Sequence, residues 1–289
     1  MQKYLDKVVK IVKEATNATL DNGHITSAAA IAFYTIFSLP GLLITVIMIA
    51  GVFLGQEAVT GQLSNQIDGF MGASAADTIE SIIANIELSG NETLGTIIGI
   101  ATLIFSATTV FVTLQAALNK TWDAEPDNYG GWITYIMERL VSFGMVISLG
   151  FIFVVSLLAD TFLQLMMDKL NGLLGFTYVN VVEVASFVMS SMTVMVLFTA
   201  IFTVLPDVKL RWRQVWKGSF FTYLLFMLGK ILIGQYIQSS DFSQTYESAG
   251  STILILVWVY YSTIILLYGA ELTKALIKDK ELFLSQKNV

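Results

Sequence analysis

Residues 250–277 read GSTILILVWVYYSTIILLYGAELTKALI, a run whose first charge is Glu271. A membrane helix needs about 20 mostly apolar residues to cross a hydrocarbon core about 30 Å thick, and this stretch supplies them. Stretches of the same kind lie at 28–54, 93–118, 139–160, 180–205 and 214–237. The sequence therefore predicts an all-α polytopic membrane protein with six transmembrane helices in one integral domain, residues 1–289. The first span starts late and is too long for the apolar core of a signal peptide. The alternation of an outer-membrane strand is absent, which removes a β-barrel.

Composition agrees. Of 289 residues, 55% are hydrophobic and 13% charged, with a mean hydropathy of +0.70; soluble domains carry about 25% charged residues. With no Cys, disulfide scaffolds, Fe–S proteins and thiol enzymes are excluded. His24 alone cannot build a multi-His zinc site, so no metal or cofactor is expected. A net charge of −6 argues against nucleic acid as a partner.

Orientation follows the basic residues, which resist translocation. The arm 1–27, the loop 119–139, the loop near 206–217 and the C-terminal end from Lys274 onward hold fourteen of the sixteen Lys and Arg. The opposite loops hold only Lys169, and Lys230 lies inside a span. Both termini are thus expected on the cytoplasmic side of a bacterial inner membrane, with 278–289 as a cytoplasmic tail. The acidic total divides accordingly, into +4 on the inner segments and −8 on the outer loops.

Two other segments carry pattern. In the arm, Leu5, Val8, Val9 and Val12 recur at helical spacing opposite Lys3, Lys7, Lys10 and Lys13. This predicts an amphipathic helix on the anionic membrane surface. In the first outer loop, 55–92, Ser74 and Asp77 have capping-box spacing ahead of Ile79, Ile82, Ile83 and Ile86, which predicts short helices.

Polar residues inside the spans are the candidate path for a substrate. Span two carries Gly95, Gly99, Thr102, Ser106, Thr109 and Thr113 on one face. That stripe reads as a packing seam or as the wall of a hydrated cavity. Pro40 removes a backbone donor in mid-span one, near Tyr34 and Ser38, and predicts a kink; such kinks shape a helix or build a transporter's midplane site. Asp160 and Glu183 read as solvated helix ends. Lys230 either snorkels to the outer interface or lines a polar site. Tyr261 shares a face with Glu271, whose expected partner is Lys274, three residues on; proton coupling is the other reading.

Four motifs then form a resemblance. They are Ala28 to Pro40; Leu114-Gln115-Ala116-Ala117-Leu118-Asn119-Lys120-Thr121-Trp122; Leu205-Pro206-Asp207-Val208-Lys209-Leu210-Arg211-Trp212-Arg213 with Gly218; and Tyr246 to Leu272. In this order they resemble the YihY/BrkB family of bacterial inner-membrane proteins across nearly the whole chain. Phe33 stands where a Tyr is commoner in that motif. The resemblance implies Asn119, Trp122, Arg211 and Arg213 at the cytoplasmic face, where they bind phosphate head groups or anchor helix ends.

Members of that family were once labelled ribonuclease BN. Without a His and Asp cluster, a His-based triad or a phosphate loop, the residues here support no enzyme. The resemblance instead implies a transporter or flippase-like protein, with membrane lipid or another amphiphile as partner. The competing expectation is a structural protein scaffolding an envelope complex. A homo-oligomer is a further reading of the small-residue motifs.

Overall fold

A computed structural model describes residues 2–55, 93–124, 179–208, 210–239 and 250–287, with positions 60, 61, 63, 64 and 80. The expected third span, 139–160, and nearly all of the outer loop fall outside the described residues, as does Asp160. Among the described residues every regular element is helical: α1 (Gln2–Asp21), α2 (His24–Leu54), α3 (Thr93–Thr121), α4 (Val179–Val204), α5 (Trp212–Ser239) and α6 (Gly250–Lys287). Two segments pass as membrane spans on length and apolarity, Trp212–Ile233 and Thr252–Lys278.

The α5 surface shows what surrounds the bundle. Trp212, Trp216, Phe220, Leu224, Leu228 and Leu232 recur every fourth residue and are all exposed, joined by Phe221 and Ile231. From Trp212 to Leu232 this stripe runs about 30 Å, the thickness of a hydrocarbon core. A soluble helix would bury such a face; its exposure over this length fits a helix that meets lipid. On α2 a parallel stripe of Ile25, Ala29, Phe33 and Phe37 is exposed as well.

The hub is α6, which packs against α1, α2, α3 and α5, while α4 packs on α5. Close approach of α5 and α6 depends on three glycines. A Cβ at Gly218 would fall on Thr273, one at Gly269 on Thr222, and one at Gly229 on the Tyr261 ring. Small residues permit such contact between membrane helices. These pairs also fix an antiparallel register: Gly218 is level with Thr273, Thr222 with Gly269, and Gly229 with Tyr261.

At one end the helices share a core of Ala117, Leu118, Phe202, Leu205, Val215, Leu267 and Ala270. This is the basic end, where Lys120, Arg211, Arg213, Lys217, Lys274 and Lys278 are found.

The structure bears on three expectations. First, α2 runs as one helix from His24 through Pro40 to Leu54, so Pro40 does not end it, and the Pro40 side chain lies outside the described residues. Second, α1 is a helix as expected, and it also packs on the bundle. It uses Ile11 and Ala15 to pack on Leu272 and Ala275 of α6, because the last helix continues to Lys287 and offers an apolar face there. Third, Glu271 does not pair with Lys274, for reasons that follow.

Candidate functional site

Gly23 adopts a left-handed φ of 69° that terminates α1 after Asp21. The backbone N–H groups of Thr26 and Ser27 then donate to the Gly23 carbonyl, so α2 begins at once with His24. This tight turn pushes the Asn22 and His24 side chains toward α6. There Glu271, 2% exposed, accepts on Oε1 from Asn22 Nδ2 at 2.7 Å and from Thr121 Oγ1 at 3.0 Å. His24 Nε2 stands 2.8 Å from the same Oε1 and 2.9 Å from Thr121 Oγ1. A proton assigned to Nε2 serves the carboxylate and the hydroxyl together. Nδ1 of His24 is buried with no partner among the described residues.

The cluster ties α1, α2, α3 and α6 at one point. A buried carboxylate needs donors to offset lost hydration, and three converge on a single oxygen. Lys274 is turned to the surface instead. Its Nζ lies 2.6 Å from Asp123, a residue with a left-handed φ of 49° just past the end of α3. Glu271 takes its donors from Asn22, His24 and Thr121, while Lys274 reaches out to Asp123.

A second network closes the same end. Asn119 donates through Nδ2 to Asp207 and accepts from the Asp207 backbone N–H at 2.8 Å, while Gln115 Nε2 donates to Asp207 at 3.0 Å. The turn between α4 and α5 is thereby pinned to α3. Arg211 occupies the cap of α5: its N–H donates to Gln214 Oε1 at 3.0 Å, and its carbonyl accepts from Gln214 N at 2.8 Å. Asn119 is thus committed within the protein, whereas the Arg211 and Arg213 side chains are exposed. Trp122 is half-buried, with its indole N–H enclosed and unpartnered among the described residues.

The remaining candidates are spread along the bundle. Ser38 is buried and donates to Thr35 O at 3.1 Å, and Tyr34 is half-buried beside it. Ser106 is buried, while Thr109 donates to Phe105 O of its own helix at 2.7 Å. The side chains of Thr102 and Glu183 lie outside the described residues. Tyr261 donates to the Leu225 carbonyl at 3.0 Å, joining α6 to α5. Lys230 is half-buried, and the register places it level with Tyr261. It is therefore about 15 Å along the axis from Glu271. Lys230 and Glu271 do not converge on one cavity.

Sequence reasoning missed a cavity of about 200 Å³ between α4, α5 and α6. Phe198, Phe226 and Trp258 form its aromatic wall, with centroids 5.7 Å apart for the first pair and 5.9 Å for the second, both edge-on. Val259, Ser262, Thr263 and Leu266 complete it. The Ser262 hydroxyl is buried and unpartnered among the described residues. Phe226 lies about 21 Å along α5 from Trp212, so the cavity sits at membrane depth. No sequence signal marks it, since an aromatic residue lining a cavity has the same spacing as one in a core.

The sequence pattern of the family described as Virulence factor BrkB matches residues 17–287. The chain belongs to the BrkB family. Among its relatives is a ribonuclease-like protein, YfkH, of Bacillus subtilis strain 168, 26% identical over 91% of this chain and 94% of that protein. Another is a UPF0761 membrane protein of Pseudoalteromonas atlantica strain T6c, 25% identical over 94% of this chain and 88% of that one. No solved structure matches. This BrkB member is a membrane protein, in agreement with the lipid-facing stripes. Its matched region takes in both polar networks and the cavity.

Proposed function

We propose that this BrkB protein is a transporter or flippase-like protein that binds a lipid or another amphiphile within the bilayer and moves it. The cavity walled by Phe198, Phe226 and Trp258 carries this reading. The cavity is open rather than enclosed and mostly apolar, and its size suits a segment of hydrocarbon rather than a whole head group. The unpartnered Ser262 hydroxyl gives it one polar contact to offer. The basic end is read as cytoplasmic and the membrane as the bacterial inner membrane, from the distribution of Lys and Arg.

We assign no catalysis. The single His is engaged with Glu271. One observation favours a scaffold as the second reading: the buried carboxylate holds helices together rather than facing a path.

Native mass spectrometry of the purified chain, followed by a liposome flux assay, separates the two. Co-purified lipid that is lost in Ser262→Leu, together with flux that falls at least tenfold, supports transport. Absence of both bound lipid and flux in the unaltered protein favours the scaffold.

A further inference from the structure

Helix α1 has three faces. Ile11, Ala15 and Thr19 are buried toward the bundle, the first two against α6. Roughly 100° around the helix lie Val9, Val12, Thr16 and Leu20. This second apolar face is bare: Val9 is 61% exposed, Leu20 57% and Val12 43%. The third face holds Asp6, Lys10, Glu14 and Asn17, all exposed, with Lys13 at its border with the apolar face.

The height of α1 says what covers the bare face. By the register of α5 and α6, Leu272 is level with Ser219 and Ala275 with Trp216. Trp212 and Trp216 are exposed at the start of the lipid-facing stripe, and tryptophans of this kind mark the membrane–water interface. Ile11 and Ala15 therefore dock on α6 at interfacial depth, not out in the aqueous phase. The lipid-facing stripe of α2 begins at Ile25, 43% exposed, directly across the Gly23 turn from Leu20.

We propose that α1 is an interfacial strap: one face locks onto α6, and the face of Val9, Val12 and Leu20 lies in the head-group region of the bilayer. The strap ends at Asn22, which donates to Glu271, so lipid contact along α1 is joined mechanically to the buried cluster.

The chain has no Cys, so single-Cys variants carry one label each. Nitroxide labels at Val9→Cys, Val12→Cys, Leu20→Cys, Lys10→Cys, Asn17→Cys and Ala15→Cys are placed in the full chain. Each is reconstituted in phosphatidylethanolamine/phosphatidylglycerol vesicles, and collision with oxygen is compared with collision with a water-soluble nickel chelate. Positions 9, 12 and 20 are expected to favour oxygen, 10 and 17 to favour nickel, and 15 to be shielded from both. Val9→Glu/Val12→Glu in the Leu20→Cys background is expected to raise nickel access at 20 while the protein stays folded. If 9, 12 and 20 favour nickel as strongly as 10 and 17, the strap does not touch lipid. Shielding of 9, 12 and 20 from both reagents means that protein covers them, and nickel access at 15 means that α1 is undocked; each result overturns the proposal.

Discussion

His24 Nε2 lies 2.8 Å from Glu271 Oε1, with the two side chains 0% and 2% exposed, joining the first residue of α2 to the last long helix. The contact gives a membrane bundle something hydrophobicity cannot. Lipid is as apolar as the helix faces, so apolar burial does not select one helix arrangement over another. A polar cluster that is satisfied in only one arrangement does.

Removing the acceptor should therefore unfold the basic end. Glu271→Ala leaves Asn22, His24 and Thr121 without their shared oxygen, and breaking a buried charged contact costs about 3–5 kcal/mol. Glu271→Gln keeps an oxygen and should lose about 1–3 kcal/mol. Thermal unfolding in detergent ranks the two, and equal losses would contradict the cluster.

The contact of Gly229 with Tyr261 gives a steric test. Gly229→Ala drives a methyl into the ring, and overpacking costs about 1–3 kcal/mol. Tyr261→Phe should not relieve the clash, because ring carbons as well as the hydroxyl occupy the space. Tyr261→Ala in the Gly229→Ala background should recover part of the loss. Unfolding of the unaltered protein, Gly229→Ala, Tyr261→Ala and the double variant in parallel reads the coupling directly.

Leu224 tests the lipid stripe. It is 45% exposed, so in a soluble helix Leu224→Lys would be nearly silent. Facing the bilayer interior, the lysine instead costs about 2.5–3.5 kcal/mol. The amount of chain recovered in the membrane fraction should drop, whereas Arg213→Gln, exposed at the basic end, should leave it unchanged.

Asn119 and Asp207 form the hinge of the α4–α5 turn. Asn119→Ala should expose backbone amides of residues 205–210 to faster hydrogen exchange. A double-mutant cycle with Asp207→Ala should return a coupling of about 0.5–3 kcal/mol. A coupling near zero would leave the turn held by its apolar packing of Leu205 on Val215 alone.

The helices were legible because each apolar run has the length its environment demands; α5 was read within two residues at each end, whereas α6 starts where expected but continues ten residues past its expected end, to Lys287. The arm helix was legible as well, but not its docking face. Val8, Val9 and Val12 made the stronger stripe, while Ile11, Ala15 and Thr19 show little apolar pattern. Only a neighbouring helix makes small and polar residues the buried ones. For the site, Glu271 was singled out because a carboxylate in a span demands a partner. His24 was overlooked because it stands 247 residues away in sequence and looked like part of a polar arm.

By itself, the sequence determined a helical membrane protein, the positions of its apolar runs and the face on which its basic residues gather. These follow from local quantities: run length, hydropathy and charge between runs. Tertiary structure decided that Asn22, His24 and Thr121 share Glu271, that Asn119 holds Asp207, that Lys230 stands about 15 Å from the carboxylate, and that a cavity opens between α4, α5 and α6. Those outcomes depend on which helices lie side by side and in what register, and glycines 218, 229 and 269 help set that register for α5 and α6 by permitting close contact at three levels.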